Sequence, residues 1–106
     1  MVVLMIESVE AINNLTEILS VPGVGAIMIG EGDLSQQLGH PRQYDHPSIV
    51  EAKEKILAEA KRAGVRVAHP HVTAANAEQV LRDGFDILFT NPSRSYAALD
   101  KAKSLM

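Results

Sequence analysis

The stretch AIMIGEGDLSQQLG, residues 26–39, contains the pattern that decides the fold. Its first four residues form a continuous apolar run, which is typical of a strand buried on both faces. Gly30 and Gly32 then bracket a glutamate, and Asp33 stands near the expected start of a helix. The pattern predicts a strand, a glycine-rich turn with carboxylates, and a helix. Such a turn is either an ordinary acidic helix cap or an ion site at the carboxyl edge of a sheet.

The same alternation of strand and helix recurs along the chain. Short apolar runs predict four strands, at residues 2–6, 26–29, 65–68 and 87–90. Apolar residues at helical spacing predict helices between and after these strands, with Ser8 and Thr73 as caps, Gly64 and Gly84 as stops, and a last helix over about 95–105. A strand that is always followed by a helix predicts parallel pairing with right-handed crossovers.

Four consecutive βα units fit two α/β architectures. One is half of an eight-stranded (β/α)8 barrel, the TIM barrel, and the other is a small open doubly wound sheet. In both architectures, binding and chemistry collect where the strands end at their carboxyl edge. The residues that follow the four predicted strands are therefore the ones that bear on function.

Composition narrows the class of protein. The chain has 106 residues, a net charge of −3, 46% hydrophobic residues and no cysteine. We expect a single partial domain over residues 1–106, cut from a longer chain because a strand begins at Val2. The lack of cysteine excludes disulfides and fits a cytoplasmic location. No basic stripe, membrane-length apolar run or signal peptide is visible, so nucleic acid and membranes are not expected partners.

Two carboxylates end predicted neighbouring strands. Glu7 follows the first strand and Asp33 follows the second, so adjacent strands would bring both to one rim. Two carboxylates repel each other unless a proton or a cation joins them, and Mg²⁺ typically binds one or two carboxylates. The alternative is that each carboxylate caps its own helix. We expect Glu31, in the same loop, to face solvent rather than to act as a third ligand.

The other two strand ends carry histidines and an arginine. His69 and His71 do not complete a zinc site by themselves, so we expect one to pack and the other to face solvent. His69 is a candidate for the wall of the substrate pocket. Arg94 is either an anion contact or an ordinary surface arginine. The chain has no nucleophile–base pair, P-loop or dinucleotide fingerprint.

Two stretches, MIESVEAINNLTEILSVPGVGAIMIGEGDLSQQLG (5–39) and GHPRQYDHPSIVEA (39–52), resemble the HpcH/HpaI aldolase and citrate lyase family. That family has a strand ending in Ile-Glu, an Asn-containing helix, PGVD and a strand ending in GPxDLSxxLG. Glu31 stands at the family's usual proline. The resemblance implies the carboxyl-terminal half of a (β/α)8 barrel, strands five to eight. It also implies that Glu7 and Asp33 bind Mg²⁺ or Mn²⁺, with Co²⁺ as a further candidate, and that the backbone of Gly30, Gly32 and Asp33 receives the carboxylate of a 2-oxo acid.

The function implied by the resemblance is that of a carbon–carbon lyase, a class II aldolase that forms or cleaves bonds through a pyruvate-type enolate. Its partners would be a small 2-oxo acid and an aldehyde. The family's catalytic histidine and substrate-binding arginine belong to the amino-terminal half, so no catalytic residue is identified in residues 1–106. The isolated chain is expected to be weakly active at most, and to form a homo-oligomer or lack its amino-terminal half. The alternatives are a non-catalytic module that binds a cation or anion, and a truncated structural fragment.

Overall fold

Four parallel strands form one sheet in the computed structural model, which describes residues 1–90 and 96–106. The spatial order of the strands is β1-β2-β3-β4, the same as their order in the chain. All three strand pairs are parallel, which confirms the prediction from the strand–helix alternation. The strands span Val2–Ile6 (β1), Val24–Ile29 (β2), Arg66–Val72 (β3) and Ile87–Thr90 (β4). Strands β2 and β3 are therefore longer than predicted.

Helices follow each strand in the described residues. They span Val9–Asn13 (α1), Leu15–Leu19 (α2), Glu31–Gln37 (α3), Pro47–Ala63 (α4), Ala77–Asp83 (α5) and Ala97–Leu105 (α6). The helix predicted after β1 is divided at Asn14, whose side-chain amide donates to the carbonyl of Glu10 at 3.0 Å. Asparagine side chains compete with helical hydrogen bonding in this way. Within the described residues, no helix is long and apolar enough to cross a membrane.

The helix ends follow the predicted caps with one exception. Ser8 caps α1, since its hydroxyl accepts a hydrogen bond from the Ala11 N–H at 3.0 Å. Gly64 ends α4 in the left-handed conformation, with a φ of 71°. Thr73 caps the turn that leads into α5 rather than α5 itself, which begins at Ala77: the Thr73 hydroxyl accepts the N–H of Asn76 at 3.2 Å, and Asn76 Oδ1 accepts the N–H of Thr73 at 2.7 Å.

The sheet has one covered face and one uncovered face. The covered face contributes Ile6, Ile27, Ile29 and Val67 to the core, where they join helix residues such as Leu15, Leu34 and Ile56. Successive strand residues point to opposite faces. Val3, Met5 and Phe89 are 38%, 50% and 44% exposed on the other side. The described helices therefore pack against one face and leave an apolar face without a cover.

Candidate metal centre

The residue after β1 and the first turn of α3 meet at the carboxyl edge of the sheet. Ile6 lies opposite Ile29 in the parallel register, and the N–H of Gly30 donates to the carbonyl of Ile6 at 2.8 Å. Strands β1 and β2 are thus neighbours, as predicted. The backbone ladder brings Glu7 level with the start of α3.

The carboxyl groups of Glu7 and Asp33 come close enough to share a hydrogen bond. That hydrogen bond is the main cause of a raised pKa of Glu7, and both desolvation and the negative charge of Asp33 act in the same direction. Glu7 is half-buried and Asp33 is exposed. A proton or a cation between two carboxylates relieves the repulsion. The two side chains are therefore arranged as a pair that can hold a cation.

Gly30 allows this close approach. A Cβ atom at Gly30 would lie 2.6 Å from Glu7 Cβ, 3.0 Å from Glu7 Oε2 and 3.2 Å from the sulfur of Met5. A Cβ atom at Gly32 would meet nothing within 4 Å. Gly30 therefore makes room for Glu7, whereas Gly32 leaves open space beside Asp33.

The donor atoms of the pair are all carboxylate oxygens. Hard divalent cations such as Mg²⁺ and Mn²⁺ prefer oxygen ligands, and Mg²⁺ usually keeps several water molecules beside one or two carboxylates. Over residues 1–90 and 96–106, no group of three or more His, Cys, Asp and Glu side chains is placed to hold a metal ion. The pair fits an open site, in which the other positions are left for water and substrate.

Glu31 lies away from this pair, and the expectation that it faces solvent is wrong. Helix α3 begins at Glu31 rather than after Asp33. Residues two apart in a helix point in nearly opposite directions, because each residue turns the helix by about 100°. Glu31 is 9% exposed, and its Oε1 accepts a hydrogen bond from Lys53 Nζ at 3.2 Å.

His69 joins Glu31 and Lys53 rather than the carboxylate pair. Its Nε2 is 3.7 Å from Glu31 Oε1, its Nδ1 accepts the N–H of His71 at 3.1 Å, and its ring meets that of Phe85 edge-on at 4.8 Å. Burial lowers the pKa of His69, and Lys53 and His71 add to this, while Glu31 and Asp83 oppose it. A neutral ring that accepts at Nδ1 carries its proton on Nε2, facing Glu31.

The two histidines differ in exposure as expected. His69 is buried and His71 is exposed. Residues two apart in a regular strand share a face. The strand register is irregular between His69 and Val72, which accounts for the difference. That His69 lines the substrate pocket stays a prediction, because none of its contacts given above joins it to Glu7 or Asp33.

Comparison with known proteins identifies the family. The family model described as HpcH/HpaI aldolase/citrate lyase matches residues 1–90. The chain belongs to this family. The resemblance of residues 5–39 and 39–52 to the family is thereby confirmed.

Relatives of known activity in the HpcH/HpaI family are longer than this chain. A 4-hydroxy-2-oxo-heptane-1,7-dioate aldolase from Klebsiella pneumoniae is 36% identical over 81 residues, which are 76% of this chain and 29% of that protein. A 2-keto-3-deoxy-L-rhamnonate aldolase from Escherichia coli is 35% identical over 79 residues, 74% of this chain and 30% of that protein. The chain thus spans less than a third of the curated relatives it matches.

A solved HpcH/HpaI aldolase from Desulfitobacterium hafniense has the same fold over nearly the whole chain. The two structures superpose with a TM-score of 0.76 at 33% identity, covering 97% of this chain and 39% of that one. The α/β fold of four parallel strands and their helices is therefore a family fold.

Arg94, predicted as an anion contact, lies outside the described residues.

Two residues of the site region were missed by the sequence reasoning. Lys53 lies on the same helical face as the buried Ile49 and Ile56, and a lysine at such a position signals an acidic partner. Ser35 is fully buried; its hydroxyl donates to the carbonyl of Gly32 at 2.7 Å and accepts the N–H of Arg42 at 3.0 Å. Ser35 had no distinguishing signal in the sequence.

Proposed function

We propose that this chain is the metal-binding, carboxyl-terminal half of a (β/α)8 barrel lyase that acts on 2-oxo acids through a pyruvate-type enolate. Glu7 and Asp33 hold a divalent cation, Mg²⁺ or Mn²⁺, at the carboxyl edge of the sheet. The observation that carries the proposal is that the register of β1 and β2 brings Glu7 beside the first turn of α3, where its carboxyl group interacts with that of Asp33. The names of the curated relatives, both aldolases of 2-oxo acids, support the substrate class.

The strand order supports a half barrel over a doubly wound sheet. A doubly wound sheet reverses its strand order at a switch point, with helices on both faces. Here the order of the four strands runs without reversal, and within residues 1–90 and 96–106 the opposite face has exposed apolar side chains and no helix packed on it. In a barrel that face is the interior, filled by side chains from all eight strands. We propose that an amino-terminal half or a second copy of the chain covers it.

The chain's own residues would bind and orient the substrate. When bound, a divalent cation at Glu7 and Asp33 supplies Lewis-acid stabilisation of the negative charge that develops on the substrate's keto oxygen. The open space beside Gly32 leaves room for the carboxylate of the 2-oxo acid near the backbone of Gly30, Gly32 and Asp33. A cation bound by both Glu7 and Asp33 offsets the repulsion between their carboxylates.

The half barrel lacks an identified proton-transfer group. General acid–base catalysis typically supplies a factor of about 10² to 10⁴ in rate. Aldol cleavage needs such a base, whereas decarboxylation of oxaloacetate leaves electrons on carbon once CO₂ departs and depends mainly on the electron sink. The chain alone is therefore expected to decarboxylate oxaloacetate slowly and to cleave 4-hydroxy-2-oxo acids negligibly.

The test is the Mg²⁺-dependent release of CO₂ from oxaloacetate by the purified chain, compared with the same Mg²⁺ concentration without protein. We expect a slow excess rate, which Asp33→Asn abolishes. Asp100→Asn is the matched control, because Asp100 is an exposed aspartate of α6. It should keep the excess rate.

Each other outcome identifies an alternative. An excess rate that Asp33→Asn leaves intact contradicts the proposed site. No excess rate, with Mn²⁺ still bound, would leave a non-catalytic cation-binding module. Neither rate nor binding would leave a structural fragment. Efficient cleavage of a 4-hydroxy-2-oxo acid would show a base within the chain.

A further inference from the structure

A buried polar cluster lies behind the proposed metal site, on the covered side of the sheet. Its members are Glu31 of α3, Lys53 of α4 and His69 of β3, with side chains that are 10%, 23% and 11% exposed. The Glu31–Lys53 contact is a charged hydrogen bond at 3.2 Å. Three elements of the fold therefore meet at the carboxylate of Glu31.

The backbone on either side of Glu31 is held by hydrogen bonds, from the Gly30 N–H to the Ile6 carbonyl at 2.8 Å and from the Ser35 hydroxyl to the Gly32 carbonyl at 2.7 Å. Glu31 stands between Gly30 and Gly32, so it carries the only side chain between Ile29 and Asp33. Glycine restricts the backbone less than any other residue. The contacts of Glu31 add a side-chain anchor between these two backbone hydrogen bonds, at the point where the chain leaves β2.

Helix α3 also needs support at its amino end. It has seven residues, and the residue at its N-cap position, Gly30, has no side chain that could accept a capping hydrogen bond. Helices this short are marginal in isolation and depend on tertiary packing. Leu34 and Ser35 are fully buried and hold the later part of α3. The first turn, which contains Asp33, is held on one side by the hydrogen bond from Ser35 to the Gly32 carbonyl and on the other by the contacts of Glu31.

We infer that Glu31 is a positioning residue: Lys53 and His69 hold its carboxylate, and this fixes the first turn of α3 with Asp33 directed toward Glu7. The inference rests on the proposed function, because it assigns Glu31 a role in the metal site that Glu7 and Asp33 form. Helical geometry joins the two roles, since the side chains of Glu31 and Asp33 project to opposite sides of the same turn.

The direction in which Lys53→Met changes the Kd for Mn²⁺ distinguishes a positioning role of Glu31 from a purely electrostatic effect of Lys53. Lys53→Met removes a positive charge that repels a bound cation, so on electrostatic grounds alone the substitution would strengthen the binding of a cation. Loss of the anchor for Glu31 would weaken it. Changes to groups that orient metal ligands typically cost 10- to 100-fold in affinity, so we expect the Kd for Mn²⁺ to rise by about tenfold.

The experiment is a Mn²⁺ titration of the full 106-residue chain by electron paramagnetic resonance, at a temperature where circular dichroism shows each variant folded. Lys55→Met is the matched control, because Lys55 is an exposed lysine of the same helix. It should leave the Kd unchanged or slightly lower. Lys53→Arg, which keeps the cation, should restore most of the affinity. If Lys53→Met does not fold, Lys53→Gln takes its place with the same expected sign.

The outcomes distinguish the inference from the proposed function. A Kd of Lys53→Met equal to or below that of Lys55→Met, with binding abolished by Asp33→Asn, overturns the positioning role and leaves the metal site standing. Unchanged binding in Asp33→Asn overturns the metal site itself, and the role of Glu31 falls with it.

Discussion

At the scale of single residues, the proposed site depends on how closely Gly30 lets Glu7 approach. Gly30 has a φ of −85°, which other residues also adopt, so its backbone does not require glycine. The position of Glu7 is what requires glycine here, because a Cβ atom at Gly30 would fall 2.6 Å from the Cβ of Glu7. The requirement is therefore one of space at the carboxylate pair.

Gly30→Ala is expected to displace Glu7 and weaken Mn²⁺ binding by about tenfold, the lower range for changes that misplace metal ligands. Gly32→Ala is the matched control: its Cβ atom would meet nothing within 4 Å, and alanine favours a helix more than glycine does. Isothermal titration calorimetry of both variants measures the difference. Equal Kd values for the two alanine variants would contradict this account of Gly30.

At the scale of elements, Glu31, Lys53 and His69 join α3, α4 and β3. A buried ion pair that loses one partner leaves an uncompensated charge, which is costly. The imidazole of His69 can change its protonation when one of these charges is removed, because its Nε2 faces Glu31 Oε1 at 3.7 Å. Its protonation therefore reports on the charges around it.

The pKa of His69 is expected to move in opposite directions in two variants. Lys53→Met raises it, because the positive charge of Lys53 opposes protonation, and Glu31→Gln lowers it further, because the charge of Glu31 favours protonation. Titration of the imidazole resonances by nuclear magnetic resonance measures both shifts, with Lys55→Met as the control. Shifts of the same sign in the two variants would contradict the arrangement of these charges.

The sign of the pH dependence follows from the lowered pKa of His69. The folded chain binds the His69 proton less tightly than the unfolded chain does. This group therefore makes the free energy of unfolding fall as the pH drops from the ordinary histidine value of 6.5 to the lowered value, with no further loss below it.

The elements were predictable where one local signal decided them. Ser8, Pro47 and Gly64 mark helix ends through their own backbone and side-chain chemistry, and the structure places α1 and α4 accordingly. The burial of Glu31 was not predictable, because it depends on where α3 begins and on Lys53, which is distant in the chain. Glu31 and Asp33 project to nearly opposite sides because both lie within α3, two residues apart.

At the scale of the whole molecule, the strands of the sheet all run in the same direction, and the described helices pack against one of its faces. The strand alternation was sufficient to predict four parallel strands, whereas their order β1-β2-β3-β4 was left open between a half barrel and a doubly wound sheet. What lies on the uncovered face, where Met5 is 50% and Phe89 44% exposed, was not predictable from the strands. Large contiguous patches of exposed apolar surface are typical of interaction sites. The exposed side chains on this face support the proposed barrel partner.

The central claim is that β1 and β2 bring Glu7 and Asp33 to one shared cation. The most direct test is the Kd for Mn²⁺ of the unaltered chain, Glu7→Gln and Asp33→Asn, measured by calorimetry. Glu51→Gln and Asp100→Asn, at exposed positions of α4 and α6, are the matched controls. Each site variant is predicted to lose at least about a hundredfold in affinity for Mn²⁺. This is the upper end of the loss that usually follows the mutation of residues that only orient metal ligands. Affinities of the site variants that match those of the controls would contradict the claim.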